Sequence, residues 1–201
     1  IESFSGALGV LDGGTTVQDA PMLDSGLMDE NTSSEVLEMQ NFQKLEETIQ
    51  EYLNENQLSE SVTVLEEEAG LLLRFQDNIL FDSGSADLKP ESLEIMSYIA
   101  QLLNAEDFED KFISIEGHTD NVPMNSPRYP SNWELSVGRS SNVVRFLVEN
   151  NNMDPKRISA SGYSEYHPVA PNDNAENRAK NRRVDILILK TIHYKDSSKN
   201  Q

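Results

Sequence analysis

Apolar and polar positions follow two different periods along this chain, and the changes of period divide it. From Val36 to Gln57, Met39, Phe42, Leu45, Ile49 and Leu53 recur at steps of three and four among Glu and Gln. That spacing predicts one amphipathic helix with a single apolar stripe, a stripe that more often packs on its own domain than on a partner. Ser33 or Ser34 stands where a hydroxyl would satisfy the first free N–H groups of that helix. The stretch SVTVLEEEAGLLLRF then reads as two strands around a turn at Glu68-Ala69-Gly70. Pro90 suits the first turn of a following helix, where its missing N–H costs nothing, and Leu93, Met96, Ile99 and Leu103 mark that helix's inner face. Phe112–Glu116 is a third strand. Gly117 interrupts its alternation and opens on His118, Thr119 and Asp120. Ser131 caps a further helix, with Leu135, Val143, Phe146 and Leu147 facing inward. RISASGYS is a short strand, NAENRAKNRR a short helix or turn, and VDILIL a final strand.

Strands alternating with helices over residues 60–191 predict an α/β fold, a two-layer sandwich with helices packed on one sheet. Ahead of it, residues 34–59 form the amphipathic linker helix, and residues 192–201 read as a disordered tail. In residues 1–33 the stretch DGGTTVQDAPMLDSG has too little apolar surface to offset chain entropy and reads as a flexible acidic linker. Phe4, Leu8 and Leu11, at steps of four and three, would give its start one short sticky helical face; a frayed terminus is the plain alternative. No run of about 18 apolar residues is present to span a membrane. The chain begins at Ile1 rather than Met and has no signal-peptide charge pattern, as expected of a fragment cut at a boundary.

Charge narrows the function. The 201 residues hold 35 acids against 16 Lys and Arg, a net charge of −19. Residues 1–60 contribute 13 of those acids and one base, Lys44. Such a chain gains nothing from counterion release, so no nucleic-acid partner is expected, and an anionic lipid surface would repel the folded part. There is no cysteine, hence no disulfide and no thiolate metal site. The three histidines, His118, His167 and His193, show no HExxH or paired spacing. No metal and no other cofactor is expected, and the plain reading of His118 is an imidazole hydrogen-bonded at its strand end.

Catalysis finds little support. No GxSxG elbow presents a serine nucleophile. Glu116 and Asp120 would share a face as acid and base only if the strand stayed regular past Gly117. Binding asks less. Asp120 places a fixed negative charge beyond the strand, and Arg139 lies four residues after Leu135 on the same side of its helix. A carboxylate and a planar guanidinium facing one cleft suit a ligand carrying both an ammonium and a carboxylate. Direct pairing of Asp120 with Arg139 is an equal reading.

Several separated motifs in one order carry a resemblance. LFDSGSADLKP, GHTDNVP, SNWELSVGRSSNVVRFL and NRAKNRRVDILIL together resemble the OmpA-like peptidoglycan-binding domain over about residues 70–190. The Asn-Val-Pro after Asp120 and the Ser-Asn-Trp-Glu-Leu-Ser run are similar to MotB-type flagellar stator subunits. The resemblance implies an OmpA-like sandwich on one mixed sheet, and a non-enzymatic grip on the diaminopimelate stem peptide of peptidoglycan. Asp120 and Arg139 fall at the family's ligand carboxylate and ligand arginine. Thr119 and Asn121 share the loop, Asn132 precedes the helix, and one of Arg182 and Arg183 supports the site while the other makes a surface salt bridge. Arg128 and Tyr129 are candidate contacts to glycan. It further implies a homodimer, a MotA-type channel subunit as partner through a transmembrane helix before Ile1, an extracytoplasmic position at the cell membrane, and a plug formed by Phe4, Leu8 and Leu11. A wall tether of the same fold without a motor, and a wall hydrolase using Glu116 and Asp120, are the rival readings.

Overall fold

The computed structural model describes residues 30–191. Phe4, Leu8 and Leu11, and residues 192–201, lie outside them. The element order is α1 (Glu30–Glu55), β1 (Val62–Glu67), β2 (Gly70–Gln76), α2 (Asp77–Leu80), α3 (Ser92–Leu103), β3 (Ile113–His118), α4 (Asn132–Asn151), a 3-10 turn at Pro155–Arg157, β4 (Ile158–Gly162), α5 (Ala175–Asn181) and β5 (Arg183–Leu189). The strands form one mixed sheet in the order β1-β2-β5-β3-β4. Only β3 and β4 pair in parallel, and α4 supplies the crossover between them. This is the two-layer α/β sandwich that the alternating pattern predicts.

The sheet's two faces differ. Val62, Val64, Leu71, Leu73, Phe75, Ile113, Ile115, Val184, Ile186 and Ile188 point to one side and join a single core with Ile95, Met96, Ile99 and Leu103 of α3 and Val143 and Leu147 of α4. Phe42, Leu45, Ile49 and Leu53 of α1 complete that core. The helix is also tied at its other end, where Glu38 meets Lys111 at 2.9 Å and accepts a 2.6 Å hydrogen bond from Thr191 Oγ1.

Three details of the pattern reading are corrected. Helix α1 already includes Glu30 among the described residues, so Ser33 and Ser34 lie within it and do not cap it. Met39 is 63% exposed, sharing the lining of a small cavity with Glu66 and Gly70 at the end of the β1–β2 hairpin. In α3 the inner position is taken by Ile95, and Leu93 is half-buried.

Gly117 does not end β3. The strand runs on to His118, and Gly117 pairs with Gly162 across the parallel ladder. A Cβ on Gly117 would sit 2.1 Å from the Ser136 carbonyl oxygen, and one on Gly162 would sit 2.5 Å from Val137. These glycines let the first half of α4 lie directly on the sheet. The arrangement sets Arg139 at the sheet end where β2 and β3 finish and β5 begins.

Candidate ligand cleft at the sheet end

At that end the chain leaves β2 through α2, and the backbone N–H of Asp77 donates to the Arg182 carbonyl at 3.0 Å. Antiparallel pairing of Gln76 with Arg183 brings Asp77 beside Arg182. Helix α4 is fixed at its start by a capping box, in which Ser131 accepts from the helix backbone and Glu134 reaches back to the Ser131 N–H. Asn132 follows, and its amide holds the loop after β3. Its Nδ2 donates to the carbonyls of Asp120 and Val122 at 3.3 and 3.1 Å and to Glu165 Oε2 at 3.0 Å, while its Oδ1 accepts from Met124 N at 3.1 Å.

Between these elements lies a cleft of about 520 Å³, with Asp77, Phe81, Thr119, Asp120, Arg139 and Arg182 on its walls. The charges form an alternating chain. Arg139 Nη1 is 3.2 Å from Asp77 Oδ2, Arg182 Nε is 3.4 Å from the same oxygen, and Arg182 Nη1 donates to Asp120 Oδ2 at 2.6 Å. Asp120 Oδ1 also accepts from Val122 N at 3.0 Å, which fixes the carboxylate. Asp120 and Arg139 therefore do not pair with each other; each has a different partner.

Arg139 is the unusual member. It is 1% exposed, its guanidinium carbon lies 5.1 Å from the Phe81 ring centroid, and its Nε donates to the Ser85 carbonyl at 3.0 Å. Its Nη1 has no hydrogen-bond partner, so the 3.2 Å approach to Asp77 is a charge contact without hydrogen-bond alignment. Burial pulls this guanidinium below its usual range, with the Asp77 charge opposing. For Arg182, burial also works against the charge, but its bonds and charge contacts with Asp120 and Asp77 outweigh it and raise the guanidinium. Arg139 nevertheless lines the cleft, where a ligand carboxylate would add to the Asp77 charge that it shares with Arg182.

Of the residues singled out in the sequence, Asp120, Arg139, Thr119, Asn132 and Arg182 line the cleft. Asn121 is exposed and lies off its walls, and Asn132 uses its amide to position the loop. Arg183 makes its salt bridge in the interior, not on the surface: it is 4% exposed and bonds Asp185 at 2.9 Å. Arg128 is engaged by exposed Asp87 at 2.6 and 2.7 Å, and Tyr129 is buried against Ala86 and Leu135. His118 makes no hydrogen bond through either ring nitrogen. It stacks on Tyr163 at 5.2 Å, and burial, with the Arg183 charge adding, pulls its pKa down to about 3, so it is a neutral ring. Glu116 and Asp120 do not share a site. Glu116 faces the helix-free side of the sheet, paired in register with Asp185, while Asp120 faces the cleft.

Sequence reading missed two residues. Asp77, which joins the two arginines, shows itself only once β2 and β5 are paired. Asn181 is fully buried and satisfies the N–H groups of Val169 and Ala170 and the carbonyl of Ala170 just before Arg182. The asparagine beside the two arginines was the available signal.

The chain belongs to the OmpA family, whose family model matches residues 80–182, just over half the chain. Within it the domain is of the MotB type: the chain is 38% identical over 152 residues, 76% of its length, to motility protein B of Bacillus subtilis (strain 168). Those residues cover 58% of that relative, so the chain spans well under two thirds of its length. A crystal structure of a MotB-like protein from Desulfovibrio vulgaris superposes with a TM-score of 0.67 at 29% identity, covering 76% of this chain and 90% of that one. The cell wall anchor of the T6SS from Pseudomonas aeruginosa gives a TM-score of 0.62 at 33% identity, covering 70% of this chain and 96% of that one. Among the described residues no helix is long and apolar enough to cross a membrane.

Proposed function

We propose that this chain is the wall-holding part of a flagellar stator and that its cleft binds the diaminopimelate end of a peptidoglycan stem peptide without transforming it. The observation that carries the reading is the placing of Arg139, which is held by Asp77 through a charge contact, and of Asp120 on the walls of one open cleft, as its positive and negative poles. A ligand carboxylate completes Arg139 with charge-assisted hydrogen bonds. The ligand ammonium adds to Asp120, whose two oxygens retain acceptor capacity beyond Arg182 and the Val122 N–H. Asp77 holds both arginines at the spacing that receives the carboxylate. A stator needs slow release under load, and a charge pocket on rigid strand ends serves that end.

The motor context draws on the likeness to motility protein B. It carries with it a homodimer, a MotA-type channel partner, an extracytoplasmic position and a plug role for Phe4, Leu8 and Leu11. The test is co-sedimentation with purified peptidoglycan. Wild type sediments, Asp120→Ala and Arg139→Met stay in solution while folded by circular dichroism, and no muropeptide is released. Unchanged sedimentation of both folded variants, or release of muropeptides, would overturn the reading.

A further inference from the structure

Trp133 and Tyr166 form an open aromatic platform beside the cleft. Trp133 follows Asn132 in the first turn of α4, and Tyr166 lies in the loop after β4. The ring centroids are 5.5 Å apart with planes 27° from parallel, yet the residues are 48% and 65% exposed. Two large rings stacked on each other in water forgo most of the burial that aromatic side chains ordinarily gain. Val122, 55% exposed, lines the neighbouring cleft. The Asn132 amide joins the two sites directly, since it donates both to the Val122 carbonyl and to Glu165, the neighbour of Tyr166.

The shape and charge select the occupant. The two rings stack on each other yet stay about half exposed or more, so an outer face of the pair is open to a ligand. On a chain of net charge −19 an anionic lipid is not the favoured occupant. A pyranose ring presents a flat C–H face suited to an aromatic plane and hydroxyls around its edge, and Glu165 offers an acceptor there. The linked rings of a wall glycan are uncharged where peptide caps the lactyl group, so the acidic surface does not repel them.

We propose that Trp133 and Tyr166 stack an N-acetylhexosamine ring of the glycan strand that carries the stem peptide, so the wall is held at two adjacent points. This rests on the stem-peptide reading of the cleft. A second contact on the same polymer forms at high effective concentration and slows release far beyond either contact alone. The glycan contact thus falls to Trp133 and Tyr166, not to Arg128 and Tyr129, which are engaged elsewhere.

Trp133 is the sole tryptophan, so its emission reports this surface directly. The chain is titrated with chitotetraose, an uncharged N-acetylglucosamine oligomer, and separately with free stem peptide and with a glycan–peptide wall fragment. Chitotetraose shifts Trp133 emission saturably in wild type and in Asp120→Ala, and Tyr166→Ala weakens that binding at least fivefold. The same variant, folded by circular dichroism, weakens wall-fragment binding about tenfold and leaves stem-peptide binding unchanged. Absence of any emission change, with wall-fragment affinity unaltered in Tyr166→Ala, overturns the proposal. So does an emission change that follows protein concentration without sugar, which would make the platform a contact between copies. If the cleft reading alone fails, stem peptide does not bind while chitotetraose still moves Trp133.

Discussion

Among the described residues, two arginine–aspartate networks of similar composition differ in setting, and one of them lines an open cleft. On the helix-free face of the sheet, Arg74 grips Asp185 with two hydrogen bonds of 2.9 Å, and Arg183 bonds the same carboxylate while its other nitrogens donate to the carbonyls of Asn181 and His167. Every guanidinium there is occupied. In the cleft, Arg139 and Arg182 share Asp77, Asp120 takes the far side of Arg182, and both arginines line about 520 Å³ of open volume. An ion pair by itself is a structural device. One whose arginines and carboxylate line an open cleft is a candidate site, because a ligand carrying both charges has room to arrive.

The comparison is broken most strongly from the structural side. Asp185→Ala leaves Arg74 and Arg183 without their shared counter-charge and lowers stability by about 3–5 kcal/mol, read by urea unfolding. Its remaining folded fraction keeps wall affinity. Gly117→Ala crosses between the regions, since its Cβ meets the Ser136 carbonyl and pushes back the helix that carries Arg139. It costs about 3 kcal/mol of stability and weakens binding as well, measured by unfolding and co-sedimentation on the same preparation. Arg139→Met separates the two roles: stem-peptide affinity falls about thirtyfold, equivalent to about 2 kcal/mol, while stability changes by less than about 1 kcal/mol.

His118 sharpens the contrast through pH. Its folded pKa is depressed from the ordinary 6.5 to about 3, so between those values the unfolded chain binds a proton that the folded chain refuses. Stability from this ring is complete above pH 6.5 and is lost as pH falls toward 3, at up to about 1.4 kcal/mol per pH unit. His118→Phe flattens that acid limb in thermal melts across the range. The smallest effect belongs to the exposed Arg128–Asp87 pair: Arg128→Ala leaves melting temperature and wall binding where they were.

Much of the fold was legible because periodicity depends on local sequence. The stripe at Phe42, Leu45, Ile49 and Leu53 and the inward residues of β5 are buried as their spacing predicts. Met39 continues the same stripe yet is exposed, because the position of the sheet's end is a tertiary fact. The site divides in the same way. The loop and helix spacing offered Asp120 and Arg139 equally as two poles of one cleft or as a direct pair. Their actual partners, Arg182 and Asp77, depend on β2 and β5 lying side by side across more than a hundred residues of chain. Gly117 looked like a strand terminator because its neighbours are polar, whereas its role is to admit a helix backbone.

On this account Arg139 is the group that receives a ligand carboxylate in the cleft. The direct measurement is calorimetric titration of wild type and Arg139→Met with two stem peptides, one ending in meso-diaminopimelate and one with lysine in its place, which lacks the side-chain carboxylate. Wild type binds the diaminopimelate peptide at least tenfold more tightly, and Arg139→Met removes the difference. Equal affinities of wild type for both peptides would contradict the account.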